Sequence, residues 1–167
     1  MKKIDNFYAI CKGLVFRGWM SVESGQNIAD GKLNEPSPKD LTTFKVIPEQ
    51  SLDFCHFLTH SLIEICYSGE NCNLKYVHSG NKQSQGEGSR CMSVLSELCD
   101  EYDITIELEA FAHDKSSRTA RRLVAFYKRF GFAFNVNHID REDVMDENEL
   151  NDDYIYGIPM IRHPNAK

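Results

Sequence analysis

The segment between residues 74 and 137 constrains the fold of this 167-residue chain more than any other part of the sequence. It reads as a strand, a polar loop with three glycines, a helix, a second strand, a second helix and a third strand. Connections this short favour a parallel strand pair covered by helices. Ligands of such sheets bind beyond the carboxyl ends of the parallel strands, and the glycine-bearing loop follows such an end. A site is therefore expected near residues 77–90.

The spacing of apolar residues sets the expected bounds in this half of the chain. Met92, Leu95 and Leu98 recur at helical spacing, and Gly131 can end a helix in the left-handed conformation. We expect strands at residues 74–79, 104–110, 132–137 and 154–162, one helix at 89–101 and another from Ser116 or Ser117 to Gly131.

The first half is harder to interpret. Residues 7–19 are rich in aromatic and branched side chains and predict one or two strands, whereas residues 21–40 predict a long polar loop. A short strand is expected at 41–47. An amphipathic helix is expected after Pro48, at residues 49–67, because apolar residues recur there every three or four positions: Leu52, Cys55, Leu58, Leu62 and Ile65.

Composition bounds the class of protein. Apolar residues make up 41% of the chain, the formal net charge is -6, and no run of 18 apolar residues occurs. The acidic balance argues against a protein that grips nucleic-acid backbones, and no membrane segment or signal peptide is expected. The six cysteines form no C-x-x-C pair. We expect reduced thiols in a cytoplasmic protein.

The glycine-bearing loop could hold an anion. Gly86 and Gly88 can take positive φ and let main-chain N–H groups approach a ligand closely, and the helix that begins near Ser89 directs its positive end to the same place. A diphosphate would suit this loop. The alternative is a plain turn, because the loop lacks the lysine that ends a P-loop and the three-glycine spacing of dinucleotide folds.

Two motifs and the order of elements resemble the GNAT superfamily of acetyl-CoA-dependent N-acetyltransferases. The first motif is Q-x-x-G-x-G, formed by Gln83, Gly86 and Gly88. The second is L-x-x-F-Y-x-x-x-G-F, formed by Leu123, Phe126, Tyr127, Gly131 and Phe132. The resemblance covers residues 74–137 and is weak for residues 1–73, where the family has a strand, two helices and a hairpin.

The resemblance implies an α/β (α+β) fold with a central mixed sheet and helices on both faces, in one domain over residues 1–167. Residues 1–73 would form a divergent acceptor-side half, 74–137 the acetyl-CoA-binding core, and 138–167 an acidic loop with the last strand. The implied activity is that of an acyltransferase, which moves acetyl from acetyl-CoA, its co-substrate, directly to a primary amine in a ternary complex. No metal is implied.

The resemblance also implies residues that hold the co-substrate. In the family, the pantetheine arm lies between two splayed strands like an added strand, which would place the main chain of Tyr76, Val77 and His78 along its amides. The diphosphate would lie at the Q-x-x-G-x-G motif and at main-chain N–H groups of the loop and the first helical turn: Gln83, Gln85, Gly86, Glu87, Gly88, Ser89 and Arg90.

Tyr127 corresponds to the tyrosine that usually protonates the departing CoA thiolate in this family. A phenol and a thiol have pKa values close enough, about 10 and about 8.5, for this proton transfer. The alternative is that Phe126 and Tyr127 only pack in an aromatic stripe with Phe130.

The acceptor amine must lose a proton before it attacks, since the pKa of a lysine-like amine is about 10.4. Glu107 and Glu109 lie two residues apart on a predicted strand and so on one face. Glu109 is our first candidate for the base. The alternatives for both acids are an ion pair with Arg121, Arg122 or another helix cation, and an edge-exposed face of the strand.

This chain departs from the family pattern at two positions. Glu87 brings a negative charge into the diphosphate loop, which is tolerable only if its side chain turns outward. Many members carry an asparagine seven residues before the helix tyrosine, and here that position is Ala120. Thr119, Ser116 or Ser117 could take its place.

Several histidines and basic residues are weaker candidates for a functional site. His56 and His60 have metal-ligand spacing on the expected helix, but no third ligand completes a site. His78 and His113 flank the expected cleft and could help to deprotonate an acceptor. A basic run is either a solvated helix face or a contact for the 3′-phosphate of CoA: Arg118, Arg121, Arg122, Lys128 and Arg129.

Residues 140–153 hold eight acids and one arginine, so the rest of the chain is near neutral. This stretch is either a solvated loop or a lip that attracts an acceptor amine, which we expect to be cationic or neutral. The alternatives to an N-acetyltransferase of small molecules or proteins are an inactive GNAT-fold interaction protein and a GNAT enzyme with another macromolecular target. The sequence leaves open the acceptor, the base and whether the chain forms a homodimer.

Overall fold

A seven-stranded mixed sheet forms the centre of the computed structural model, which describes residues 3–22, 46, 48–80, 86–111, 117–137 and 157–165. The described elements, in chain order, are α1 (Lys3–Phe16), β1 (Trp19–Val22), β2 (Ser51–His56), β3 (Leu62–Ser68), β4 (Asn71–His78), α2 (Glu87–Glu101), β5 (Ile106–Ala110), α3 (Ser117–Lys128), β6 (Ala133–Phe134) and β7 (Ile158–Arg162). The strands lie in the order β1-β2-β3-β4-β5-β7-β6.

The alternation of strands and helices expected after residue 74 is confirmed. Helices α2 and α3 begin and end within two or three residues of the expected bounds, and β4 runs parallel to β5 as the short connection required. The strand expected at 132–137 is shorter, because β6 pairs with β7 through Ala133 and Phe134 only. Strand β7 begins at Ile158, and residues 154–156 lie outside the described part of the chain.

The strands expected at residues 7–19 were a wrong prediction, since this segment is mostly helix α1 followed by β1. The buried residues of α1 are Phe7, Ile10, Cys11 and Leu14, a spacing of three and four that marks one face of a helix. The helical period was therefore present, but the content of aromatic and branched residues favoured strands.

The helix expected at residues 49–67 was also wrong, because β2 and β3 form an antiparallel hairpin there. Leu58, one of the residues that gave the helical spacing, lies in the turn and is 70% exposed. Phe54, Ile63 and Ile65 alternate with their neighbours toward the core, as strand residues do. The strand expected at 41–47 and the loop expected at 21–40 lie largely outside the described residues.

One face of the sheet carries the hydrophobic core. Ile65, Leu74, Leu108 and Met160 are paired in turn across β3, β4, β5 and β7, so they share this face. All four belong to one buried cluster, together with side chains from α1, α2 and α3. We call this side of the sheet the helical face and the other side the second face.

The fold class expected from the sequence is confirmed as a mixed α/β fold with a central mixed sheet. The three described helices pack into the core of the helical face, and no helix within the described ranges tests the expectation for the second face. All six cysteines are buried free thiols. The longest described helix, α2, has 15 residues, and none of the described helices is long and apolar enough to span a membrane.

A partly buried ion pair between Arg162 and Asp100 lies at the start of β5, where Arg162 pairs with Ile106. The Arg162 guanidinium donates to both carboxylate oxygens of Asp100 at 2.7 Å, and its Nε donates to the carbonyl of Phe130 at 2.6 Å. The main-chain N–H of Asn165 also donates to Asp100. One side chain thus links β7, the end of α2 and the turn after α3. The pKa of Asp100 is lowered, mainly by its hydrogen bonds with Arg162.

We expect Arg162→Met to lower the free energy of unfolding by about 3 kcal/mol, because it leaves the Asp100 carboxylate without its buried partner. Urea unfolding monitored by circular dichroism measures this change. The wild-type contribution of Asp100 is present above its unfolded pKa of about 3.9 and is lost as the pH falls through its lower folded pKa.

Lys3→Met is the matched control, because the Lys3–Glu70 pair is exposed and should leave the urea midpoint unchanged. Equal urea midpoints for Arg162→Met and the wild type would contradict the role assigned to Arg162.

Candidate functional site

The parallel ladder between β4 and β5 ends before either strand does. Its registered pairs are Cys72–Ile106, Asn73–Glu107 and Leu74–Leu108. Beyond them, residues 76–78 pair with β3, and residues 109–110 pair with β7. The two strands therefore separate toward their carboxyl ends, where the main chain of β4 has no strand partner on the β5 side within the described residues.

A β-bulge lies at the point of separation. Leu74 pairs with Ile65 and Tyr76 pairs with Glu64, so Lys75 is an extra residue in β4. Such a bulge bends a strand and increases its twist, which turns the end of β4 away from β5. It also changes which side chains reach each face, because Tyr76 follows Leu74 by two residues and yet lies on the opposite side of the sheet.

Several of the residues predicted for the site lie together on the second face. Tyr76 and His78 share that face beyond the bulge, and their rings stack at 6.1 Å between centroids with 10° between planes. Glu107 and Glu109 lie on the same face of β5, as the sequence predicted. Val77 instead points to the helical face and packs against the core there.

The protonation pattern of His78 follows from its neighbour. The main-chain N–H of Gly80 donates to Nδ1 of His78 at 3.0 Å. A nitrogen that accepts this bond carries no proton, so the neutral ring carries its proton on Nε2. In this arrangement His78 offers a donor rather than a base, which disfavours the hypothesis that it deprotonates an acceptor amine.

Glu109 is an exposed carboxylate on the second face of β5. It lies against Gly157, where a Cβ would come within 3.3 Å of its Oε2. Glu107, its neighbour on this face, instead accepts a hydrogen bond from Asn71 Nδ2 at 2.9 Å. The ion pairs with Arg121 or Arg122 that the sequence left open would require α3 to lie over this face, but α3 packs on the helical face.

The start of α2 has the form of an anion site. Gly86 caps the helix in the left-handed conformation, with φ 86°, and no side chain caps the helix there. The main-chain N–H of Arg90 donates to the carbonyl of Gly86 at 2.9 Å, as the first hydrogen bond of the helix. The N–H groups left for a ligand at this terminus are therefore those of the preceding positions, from Gly86 to Ser89, and not that of Arg90.

Glu87 does not turn outward as the sequence analysis required. Its side chain is only 12% exposed, and its Oε2 lies 3.4 Å from Nη1 of Arg90. The Nη2 of Arg90 lies 2.9 Å from Nε2 of His56. Because a guanidinium can only donate, His56 accepts at Nε2 and carries its proton on Nδ1.

The hydrogen bond from Arg90 continues into the protein as a chain of buried polar groups. His56 Nδ1 donates to the hydroxyl of Thr59 at 3.2 Å, which is 2.8 Å from the hydroxyl of Ser61. Ser61 is in turn hydrogen-bonded to the thiol of Cys91 on α2. Burial, and then the charge of Arg90, lower the pKa of His56, so it stays neutral at neutral pH. We call these residues the His56 chain.

Tyr127 lies on α3 and packs against the core of the helical face. Its ring meets Phe126 at 5.2 Å and Phe132 at 5.8 Å between centroids, so the aromatic packing considered from the sequence is present. Burial raises the pKa of the Tyr127 phenol, which keeps it protonated at neutral pH. Tyr127 and Glu109 thus approach the sheet from opposite faces.

Some of the predicted residues cannot be located. Gln83, Gln85, His113 and the acidic stretch 140–153 lie outside the described residues. Ala120 is buried on α3 and offers no polar group, while Thr119 beside it is partly exposed.

The hydrogen bond between His56 and Arg90 was not predicted from the sequence, which suggested only a metal ligand at His56. His56 and His60 belong to a strand and the following turn, so the helical spacing that suggested a shared ligand set does not exist. Among the described residues, no group of three or more histidine, cysteine or acidic side chains is placed to hold a metal ion. A histidine at the end of a strand, three residues before a threonine and five before a serine, gives no distinctive signal in the sequence.

Comparisons with known proteins find similarity in structure but no match in sequence. A scan against protein-family models gives no match, and no curated protein is similar in sequence. A solved chain from Bacteroides thetaiotaomicron, assigned to the GNAT family of acetyltransferases, is similar in structure with a TM-score of 0.46 and 19% identity. The match covers 70% of this chain and spans 63% of the length of that chain. A likeness this low carries no inference about activity.

Gly80 fixes the end of β4 against the β2–β3 turn. It has φ +59°, and a Cβ there would lie 2.3 Å from the carbonyl oxygen of Thr59. Gly69 has φ +60° with nothing within 4 Å of a Cβ, so it is a matched control. We expect Gly69→Ala to cost about 1 kcal/mol of unfolding free energy, the strain of a left-handed residue, and Gly80→Ala at least about 2 kcal/mol. Urea unfolding of both variants measures the difference, and equal costs would contradict the close contact.

Proposed function

We propose that this chain is a GNAT-type N-acetyltransferase that moves acetyl from acetyl-CoA to a primary amine by direct attack. The observation that carries the proposal is the separation of β4 from β5 at a bulge, directly before a helix that begins with a left-handed glycine. A separated parallel pair can accept an extended chain between its edges, and the start of α2 can accept an anion. Acetyl-CoA combines an extended amide-bearing arm with a diphosphate.

The proposed transfer needs a base for the amine and an acid for the departing thiolate, and Glu109 on β5 and Tyr127 on α3 are the candidates. The acceptor amine would approach from the second face, where the exposed Glu109 takes its proton directly or through water. Tyr127, on the helical face, would give a proton to the departing thiolate, for which its protonated phenol is suited. Only an opening through the sheet lets two such groups act on one substrate.

The main chain of Tyr76, Val77 and His78 would hold the pantetheine amides, because it lacks a strand partner on the β5 side among the described residues. The N–H groups at the start of α2 would hold the diphosphate. The Nε2–H of His78 is a donor on the second face and not a second base. No metal takes part in this proposal.

The proposal is tested by activity and by one conservative substitution. We expect the wild-type protein to melt at a higher temperature with acetyl-CoA and to release free thiol when one member of a panel of amines is added. We expect Tyr127→Phe to lower kcat at least tenfold with little change in CoA affinity, because general acids contribute roughly 10²–10⁴ to a rate. Stopped-flow or steady-state thiol detection measures kcat, and calorimetry measures the dissociation constant of CoA.

Phe126→Leu is the matched control for packing, since it alters the aromatic contacts of Tyr127 and keeps the phenol. An unchanged kcat in Tyr127→Phe would remove the acid role. Absence of both thermal stabilisation and thiol release would contradict the enzyme and favour the alternative of a GNAT-fold interaction protein.

A further inference from the structure

The negative charge of Glu87 is the feature of this anion site that most needs an explanation. Glu87 is the one acid between residues 79 and 90 and belongs to the first turn of α2. A carboxylate beside a diphosphate raises the free energy of the complex, because like charges repel strongly where water is partly excluded. Its low exposure means that water alone does not screen it.

Arg90 is held where it can cancel this charge. Its Nη1 lies 3.4 Å from Glu87, its Nη2 donates to His56, and its guanidinium carbon lies 5.3 Å from the centre of the Trp19 ring. A long arginine side chain normally loses conformational entropy when it adopts one geometry, so an exposed Arg–Glu pair is weak by itself. The buried acceptor on His56 and the ring of Trp19 reduce the freedom that remains to Arg90.

His56 is itself fixed from several sides. Its ring meets Trp19 edge-on at 4.7 Å and stacks on Phe57 at 5.3 Å, and Thr59 accepts from its Nδ1. Gly18 leaves the space that this requires, because a Cβ there would lie 3.0 Å from Nε2, the atom that accepts from Arg90. The His56 chain therefore presents one acceptor in one position to Arg90.

We propose that His56 is a positioning residue that holds Arg90 against Glu87, so that the start of α2 can bind the diphosphate of acetyl-CoA. This inference rests on the proposed function. Arg90 contributes +1 and Glu87 contributes -1, and His56 is neutral when it accepts from a guanidinium, so the three side chains together carry no net charge. The attraction for the diphosphate then comes from the N–H groups and dipole of α2, without repulsion from Glu87.

A double-mutant cycle separates this role from direct phosphate binding by Arg90. We expect Arg90→Met to raise the dissociation constant of CoA about tenfold in the wild-type background and less than about threefold in Glu87→Gln, since there is then no charge to cancel. Calorimetry with CoA measures all four proteins. Pantetheine, which has no diphosphate, should bind the wild type and Arg90→Met equally.

Arg17→Met is the matched control, because Arg17 also pairs with an acid of α2, Glu97, away from the glycine cap. It should leave the dissociation constant of CoA within about twofold of the wild type. An equal tenfold effect of Arg90→Met in both backgrounds would overturn the inference, as would an equal loss of pantetheine binding.

Two substitutions test His56 itself. His56→Phe keeps a planar ring but removes the acceptor, and we expect it to weaken CoA binding as much as Arg90→Met does. In His56→Gln, the amide oxygen can accept from Nη2 of Arg90, so binding should return to within about threefold of the wild type. If His56→Phe does not fold, the cycle at positions 87 and 90 still tests whether Arg90 cancels the charge of Glu87, and a dissociation constant of His56→Gln more than about threefold above that of the wild type would overturn the role of His56.

The inference and the proposed function fail in different ways. If wild-type protein does not bind CoA, the proposed function falls and the cycle is repeated with inorganic pyrophosphate. Non-additive effects of Glu87→Gln and Arg90→Met on pyrophosphate binding would support the role of Arg90 at an anion site, and weaker pyrophosphate binding by His56→Phe would support the role of His56. Additive effects, or no binding of pyrophosphate, would overturn it.

Discussion

The early end of the β4–β5 ladder is the constraint on which the rest of this structure depends. Backbone hydrogen bonds hold the two strands together through Leu74 and Leu108, and the extra residue Lys75 then turns β4 away. At the opposite end, Arg162 ties β7 and the turn after α3 to Asp100 of α2. The two strands can separate at one end without exposing the core. The core residues of these strands lie mainly along the part where β4 and β5 are paired.

The two faces of the sheet carry different groups on either side of this opening. The helical face carries the hydrophobic core, the glycine-capped start of α2 and Tyr127, whereas the second face carries Glu109, Tyr76 and His78. The bulge is responsible for part of this division, because it moves Tyr76 and His78 to the second face. Under the proposed function, a thioester in the opening would lie between Tyr127 on one side and Glu109 on the other. At the proposed diphosphate end, the His56 chain holds Arg90, whose positive charge balances that of Glu87.

The sequence predicted the second half of the fold well because its signals are local. Gly86 precedes α2 and Gly131 follows α3, apolar residues recur at helical spacing, and short connections favour parallel strands. The bulge could not be predicted, since Lys75 becomes an extra residue only in relation to its partners on β3. The prediction for the first half was wrong for a related reason. From Leu52 to Leu62, apolar residues recur every three or four positions, as in a helix, and only pairing with neighbouring strands makes this segment part of a hairpin. The contact between His56 and Arg90 joins residues 34 apart and depends on that hairpin.

Hydrogen exchange tests the central claim, that acetyl-CoA enters between β4 and β5, most directly. Amide exchange of the wild-type protein is compared with and without saturating acetyl-CoA. The account predicts that at least one main-chain amide among Tyr76, Val77 and His78, and those at the start of α2, slow about tenfold or more, because the co-substrate supplies the missing partners. Amides of β2, which pairs on both sides with β1 and β3, should not change. Unchanged exchange at residues 76–78 with acetyl-CoA bound would contradict the account.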